Sequence, residues 1–192
     1  YDGRDDILDP REGLYVDLEA APGWSTGDAD VRFVRAAAGA RFYQALGPDL
    51  TLALRARSGA IIGASAERVP ADLRFYAGGG GSVRGYGYQE LTPLQIAPRS
   101  GQLEPFGGRS LIEGSAELRW RRSERLGFAA FIDGGAAGPD IAPAFDALRY
   151  GAGLGVRYYP GFGPIRFDVA TPIDPRAQDE AVQVYISIGQ AF

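Results

Sequence analysis

A glycine-rich stretch holds an arginine whose surroundings favour one kind of chemistry. In residues 75–88, FYAGGGGSVRGYGY, four consecutive glycines come shortly before Arg84, and two tyrosines follow it. Glycine lets a backbone turn sharply or approach another segment closely. The guanidinium of Arg84 presents a planar set of donors that binds carboxylates bidentately. The stretch therefore predicts a loop that docks onto carboxylates. The alternative is a flexible surface loop with an incidental arginine.

The carboxylates that such a loop could meet lie on strand-like segments beside arginines. Glu113, Glu117 and Asp168 could in principle serve as paired acids and bases, but their alternating positions more simply predict salt bridges. The chain has no histidine and no cysteine, which excludes Ser-His-Asp and Cys-His nucleophiles and thiol metal sites and argues against a zinc hydrolase. It also lacks a GxSxG sequence. We therefore predict no enzymatic activity, no metal and no cofactor.

The elements that position these groups are segments in which apolar residues alternate with polar ones. Period-2 alternation predicts eight strands, at 13–23, 31–46, 50–62, 111–121, 126–135, 148–159, 164–171 and 182–192. Residues 1–12 are polar and predict a strand end followed by a short turn. One face of the strands is apolar and the other carries charges and glycines. The apolar set comprises Leu118, Trp120, Phe128, Ile132, Leu154, Val156, Phe167, Val169, Val184 and Ile186.

Strand length and loop asymmetry favour a membrane barrel over a soluble sandwich, which also alternates. Several segments run ten or more residues, whereas strands of globular sheets are typically about 5–6 residues long. The connections at 123–125 and 160–163 are short, and those at 64–110, 136–147 and 172–181 are longer, as in outer-membrane barrels. No apolar run is long enough for a transmembrane helix. The net charge of −4 argues against nucleic-acid binding. The predicted fold is an all-β, transmembrane antiparallel β-barrel with eight strands.

Several motifs give the chain a resemblance to a known family. YDGRDDILDPREG, FYAGGGGSVRGYGYQELTP, GGRSLIEGSAELRW, FIDGG, GAGLGVRYYPGFGPIRFDVATPI and VYISIGQAF follow one another in family order. Over nearly its whole length the chain resembles the carboxyl-terminal half of the BamA/TamA superfamily of outer-membrane assembly and secretion barrels. The forms GGxxSVRGYGYQ and GGRSL are most similar to TamA, the translocation and assembly module.

The resemblance implies one barrel or half-barrel domain over residues 1–192, half of a sixteen-strand barrel. It implies that the long connection 64–110 is an extracellular loop carrying the VRGY motif, Val83, Arg84, Gly85 and Tyr86. In the family this loop folds back into the barrel, and by motif position Arg84 would contact Glu117 and Asp133. The alternation of residues separately places both carboxylates on the polar face. The alternative is that they are ordinary solvated charges of the lumen.

The resemblance also implies a function in the bacterial outer membrane. The implied function is that of a non-enzymatic insertase, in which the first and last strands of the barrel form a weak seam. In this chain the carboxyl-terminal side of the seam would be the last strand, which contains Gly189 and Phe192. The implied partners are the lipid bilayer, unfolded outer-membrane or secreted client proteins, and a periplasm-spanning partner. A two-partner-type secretion pore and a small structural eight-strand barrel remain as alternatives. The client and any upstream POTRA domains cannot be read from the sequence.

The two edges of an eight-strand sheet raise the question of closure. Unpaired backbone groups are costly in lipid, so we expect either a closed barrel, with segment 13–23 bonded to segment 182–192, or a pair of chains completing a larger barrel. Self-closure is the slightly favoured expectation. A closed eight-strand barrel is filled by its own side chains. It would expel the loop, expose Arg84 and leave the two carboxylates to lumen arginines such as Arg119, Arg157 or Arg166.

Overall fold

The chain folds into an antiparallel sheet with a long loop laid on one of its faces. A computed structural model describes residues 1–25, 30–98, 101–161 and 163–192. Its ten strands are β1 (Gly13–Ser25), β2 (Val31–Ala45), β3 (Leu50–Ile62), β4 (Leu94–Ile96), β5 (Leu103–Pro105), β6 (Ser110–Arg121), β7 (Leu126–Gly138), β8 (Arg149–Tyr158), β9 (Ile165–Pro172) and β10 (Gln183–Ile188). Short 3₁₀ turns occupy Ala66–Arg68, Ala71–Leu73 and Phe145–Ala147. Among the described residues, no helix has the length and apolarity needed to cross a membrane.

Eight of the strands form the main sheet, in the order β1-β2-β3-β6-β7-β8-β9-β10. All seven neighbouring pairs are antiparallel. The remaining two strands, β4 and β5, make a separate hairpin within the long connection. The order follows the chain because each strand pairs with the next strand of the main sheet.

The predicted strands agree closely with the observed ones, with three corrections. The fifth predicted strand, 126–135, extends to Gly138 as β7. The last, 182–192, ends at Ile188, because Gly189 adopts a φ of +91° that breaks the extended backbone. The β4–β5 hairpin was not predicted within the connection 64–110. Residues 99–100 of that connection and Phe162 of the predicted 160–163 turn lie outside the described residues.

The two faces of the sheet differ as the alternation predicted. All ten residues of the predicted apolar set are exposed, with Leu154 at 69% and Ile186 at 73%. On the opposite face the charged residues Glu117, Asp133 and Arg157 are buried. An exposed apolar face and a buried charged face are the reverse of what a water-soluble sandwich shows.

The expectation that the sheet closes on itself was wrong. Within the described residues, β1 pairs with β2 and β10 with β9, and no ladder joins β1 to β10. The physical reason is the loop, because a closed eight-strand barrel has no interior space for it. The edges nevertheless approach at the short-turn end, where Gln190 Nε2 donates to Asp9 Oδ1 at 2.6 Å.

The first residues form the predicted strand end and turn. Gly3 N donates to Leu14 O at 2.9 Å, and the backbone groups of Tyr1 and Val16 donate to each other's carbonyl oxygens at 2.9 Å. This short ladder covers the beginning of the β1 edge. The ladder brings the turn that contains Asp9 to the same end of the sheet as the turn after β6, where Arg121 binds Asp9 at 2.7 Å.

Candidate functional site

The connection between β3 and β6, residues 63–109 and hereafter the VRGY loop, lies on the charged face of the sheet. It closes on itself through Phe75 and Gly108, whose backbone groups bond in both directions at 3.0 and 2.7 Å. Its side chains Val69, Phe75 and Val83 are buried in a hydrophobic cluster that also includes Ile61 of β3. The aromatic and aliphatic side chains of the loop therefore pack into one core together with residues of the sheet.

Glycines let the VRGY motif come close to the strands beneath it. Gly85 has a φ of +103°, and a Cβ there would stand 2.8 Å from the carbonyl oxygen of Thr171 on β9. On β8, a Cβ at Gly151 would collide with the carbonyl oxygen of Arg84. Because neither position has room for a side chain, the backbone of the motif packs directly on the sheet.

Arg84 enters a cage of three carboxylates, Glu117, Asp133 and Asp168, hereafter the carboxylate cage. Its Nε and Nη2 donate to the two oxygens of Asp133 at 2.7 and 3.0 Å, which is a bidentate contact. Its Nη1 donates to Glu117 Oε2 at 2.6 Å and to Asp168 Oδ2 at 3.0 Å. The side chain is 2% exposed, and its guanidinium carbon lies 3.3 Å from the ring centroid of Phe131. The structure thus brings together the arginine and both carboxylates that the motif singled out.

Three further arginines surround the carboxylate cage. Arg119 Nε donates to Glu117 at 2.8 Å, Arg157 donates to Asp168 at 2.5 Å and to Glu117 at 3.3 Å, and Arg166 lies 3.3 Å from Asp168. These lumen arginines were expected to replace Arg84 if the loop were expelled. Instead they share the carboxylates with it, because the sheet is open and the loop is docked. Asp168 as a partner of Arg84 was not predicted.

The other motif residues hold the loop through backbone and aromatic contacts. Val83 is fully buried. The Tyr86 hydroxyl donates to the carbonyl oxygen of Tyr150 at 3.1 Å, at the start of β8. The hydroxyl of Tyr185 on β10 accepts from Gly85 N at 3.0 Å and donates to Tyr86 O at 2.8 Å. Sequence reasoning missed Tyr185. The available signal was an aromatic residue on the polar face of the terminal strand.

The end of the chain turns toward the charged face. After β10, Gly189 N donates to Pro164 O at 2.7 Å. The Phe192 ring centroid then lies 5.4 Å from the guanidinium carbons of both Arg55 and Arg119. Gly189 and Phe192, predicted as members of the terminal strand, therefore lie just beyond it. Phe192 faces the interior of the curled sheet and not the apolar surface.

The connection between β9 and β10 also contacts the VRGY loop. Arg176 Nη1 donates to Glu90 O at 3.0 Å, and its Nη2 pairs with Asp179 at 2.6 Å. Burial works to raise the pKa of Asp179, but the hydrogen bonds from Arg176 outweigh it, and the pKa of Asp179 lies below its ordinary value of 3.8. This contact ties the loop to the segment that leads into β10.

The arrangement is suited to holding a polypeptide segment in place. Each carboxylate of the cage is engaged by at least one arginine. Within the described residues, no group of three or more acidic side chains has the geometry of a metal site. The chemistry at this site is ion pairing and hydrogen bonding between one loop and strands β3, β6, β7, β8, β9 and β10.

Comparisons with known proteins agree with this architecture. A family model described as the Omp85 superfamily domain matches residues 1–192. The chain is similar to outer membrane protein assembly factor BamA of Nitratidesulfovibrio vulgaris, with 31% identity over 173 residues, covering 86% of this chain and 21% of the relative. It is also similar to BamA of Neisseria meningitidis serogroup B, with 26% identity over 156 residues, covering 66% of the chain and 19% of the relative.

A solved structure has a similar fold. It is the crystal structure of BamA from Haemophilus ducreyi lacking POTRA domains 1–3, with a TM-score of 0.76 and 19% identity. The match covers 96% of this chain and 40% of that chain. The chain thus spans about a fifth of the length of the curated relatives described above.

Proposed function

This chain belongs to the Omp85 superfamily, whose domain model spans residues 1–192, and we propose on that basis that it acts in outer-membrane protein assembly. Like the members of that family, it is a bacterial outer-membrane protein. The proposed activity is insertion of client β-barrel proteins by strand templating, without enzymatic chemistry. The proposed partners are the lipid bilayer, unfolded outer-membrane or secreted clients, and a protein that spans the periplasm.

We place the eight-strand sheet across the bilayer as half of a sixteen-strand barrel. The exposed apolar face supports this placement, as does a relative that extends well beyond the matched part. The short turns would then face the periplasm and the VRGY loop the cell exterior. The charged face would line the lumen, into which the loop folds as part of the same single domain.

The observation that carries the proposal is the docked VRGY loop. Arg84 holds a loop of more than forty residues against the wall through three buried carboxylates, which three buried arginines of the wall also contact. Separating buried ionic partners is costly, which favours the docked position of the loop over a released one. The similarity of GGGGSVRGYGYQ to TamA extends the proposal to a TamA-like role.

We propose that β10 is the carboxyl-terminal side of the seam, facing the first strand of the full barrel. Within the described residues β10 pairs with β9 alone, over the six residues Gln183–Ile188, whereas the β1–β2 ladder runs over thirteen. A short ladder holds the terminal strand weakly, because few backbone hydrogen bonds attach it. The other edge of β10 would offer its backbone groups to an incoming strand when the seam opens.

Client folding in proteoliposomes tests the proposal. The protein is reconstituted, a urea-denatured outer-membrane barrel is added, and folding is followed by protease protection. We expect faster folding than in empty liposomes, and slower folding with Arg84→Ala than with Arg57→Ala. Arg57 is a matched control, since it also faces the lumen from β3 but makes no ion pair within the described residues. A client folding rate equal to that of empty liposomes would refute the insertase proposal. Transport of a soluble client without insertion would favour the secretion pore.

A further inference from the structure

A single hydroxyl joins the VRGY motif to the terminal strand. Tyr185 Oη accepts a hydrogen bond from Gly85 N at 3.0 Å and donates one to Tyr86 O at 2.8 Å. Both partners are backbone groups of the motif, 100 and 99 residues away in the chain. The hydroxyl therefore uses its donor and an acceptor site at once on neighbouring residues of the loop.

Tyr185 is the main polar tie between β10 and the interior. The outward side chains Val184, Ile186 and Ile188 are all more than half exposed. Of the inward ones, Gln183 bonds to Glu180, just ahead of the strand. Ser187 makes no side-chain hydrogen bond to the described residues. Strand β10 is thus held by its ladder with β9 and by the contact of Tyr185 with the loop.

The ion pairs of Arg84, another anchor of the loop, do not involve β10. Arg84 binds carboxylates on β6, β7 and β9. Asp168, its ligand on β9, lies directly opposite Tyr185 in the β9–β10 ladder. Two adjacent strands therefore bind adjacent parts of one motif. Asp168 on β9 binds the side chain of Arg84, and Tyr185 on β10 binds the backbone of the two residues that follow Arg84. When Arg84 is in the carboxylate cage, Gly85 and Tyr86 are held at the position that Tyr185 requires.

We propose that Tyr185 is a positioning residue that couples docking of the VRGY loop to the attachment of β10. This proposal rests on the proposed function in one respect, the assignment of β10 to the seam. With the loop docked, detaching β10 breaks its ladder and also two hydrogen bonds to the motif. With the loop released, only the ladder holds the strand. The docked loop thereby determines how firmly β10, one side of the proposed seam, is held to the sheet, and Tyr185 makes the connecting contacts.

Hydrogen exchange of the protein in lipid nanodiscs tests the coupling. Tyr185→Phe removes the hydroxyl and keeps the ring. We expect the amides of residues 183–188 to exchange about fivefold faster or more, since one lost hydrogen bond changes exchange by about that factor and the substitution removes two, while the β6 and β7 amides stay unchanged. Tyr158→Phe is the matched control, because Tyr158 lies on the apolar face of β8 and its hydroxyl bonds to none of the described residues.

The decisive comparison adds Arg84→Ala to both backgrounds. Release of the loop should speed β10 exchange in the otherwise wild-type protein and add little when Tyr185→Phe is already present. Equal acceleration in both backgrounds, or no effect of Tyr185→Phe alone, would overturn the proposal. If Tyr185 only stabilised the fold, Arg84→Ala would still speed β10 exchange in the Tyr185→Phe background.

A second variant separates the loop from β10 by another route. A Cβ at Gly80 would lie 2.9 Å from Tyr185 Cδ1, so Gly80→Ala should push the ring away and speed β10 exchange while Arg84 keeps its ligands. Unchanged exchange in this variant would also count against the coupling. Because no client is present, these measurements stand apart from the insertion assay. Coupling without client insertion would leave Tyr185 as proposed and refute the seam function.

Discussion

Double substitutions that remove Arg84 together with one of its carboxylate ligands should show which carboxylate contributes most to holding the loop. The perturbation is a set of double-mutant cycles in which Arg84→Ala is combined with Asp133→Ala, Glu117→Ala or Asp168→Ala. Each cycle separates the pairwise interaction from the other effects of each substitution. The structure predicts different coupling energies for the three pairs.

The expected order follows from the partners that each carboxylate keeps. Among the described residues Asp133 pairs with no arginine except Arg84, and it holds that arginine by both oxygens. Breaking one side of a buried ion pair costs about 3–5 kcal/mol of unfolding free energy, so Arg84→Ala alone should fall in that range. The coupling with Asp133 should be about 2 kcal/mol or more.

The other two carboxylates should couple more weakly to Arg84. Glu117 keeps Arg119 and Arg157, and Asp168 keeps Arg157 and Arg166. Because these arginines remain, we expect couplings below about 1 kcal/mol for both pairs.

Urea unfolding in detergent micelles, followed by the fluorescence of the two tryptophans, measures each free energy. The cycle between Arg84→Ala and Arg57→Ala is the control and should be additive. Additivity within about 0.5 kcal/mol in the cycle of Arg84→Ala with Asp133→Ala would refute the claim that this pair holds the loop. So would a larger coupling for Glu117 or Asp168 than for Asp133.

Three further predictions concern the apolar face, a glycine and pH. Leu154→Arg should destabilise the protein by about 2–4 kcal/mol in a bilayer if the site lies near the midplane, and an unchanged urea midpoint would contradict the membrane placement. Gly151→Ala should release the VRGY loop and make it sensitive to protease, whereas Gly114→Ala, with its nearest atom at 3.8 Å, should not. Since the pKa of Asp179 is lowered in the folded protein, its contribution is present above pH 3.8 and is lost as the pH falls through the folded value. The protection factors of the 173–182 amides, which are corrected for the intrinsic pH dependence of exchange, should therefore fall on acidification, and Asp179→Asn should flatten that dependence.

The strands could be predicted because their information is local. Period-2 alternation placed eight strands, and the same alternation put Glu117 and Asp133 on the charged face opposite Leu118 and Ile132. The motif then linked Arg84 to those two carboxylates. Both inferences use local features, the alternation within a strand and the residues of a motif, which do not depend on the path of the loop.

The parts that were not predicted depend on that path. Asp168 and Tyr185 meet the motif across separations of 84 and about 100 residues, and alternation cannot show which inward side chains a loop will reach. Self-closure was favoured because unpaired edges are costly, and the space taken by the loop was given too little weight. The turn at Gly189 depends on a backbone angle, and the residue type alone does not reveal which glycine adopts a positive φ.

The carboxylate cage has a consequence for the order in which the protein folds. Its contacts span 33, 49 and 84 residues, and the last ligand sits on the penultimate strand of the sheet. Contacts of such high order form after the local hairpins, because long chain segments must be closed first. Until β9 is in place, Arg84 lacks one ligand and the arginines of the wall remain hydrated. We therefore expect the carboxylate cage to be complete only after β9 has joined the sheet, so that a fully docked loop reports that this strand is already assembled.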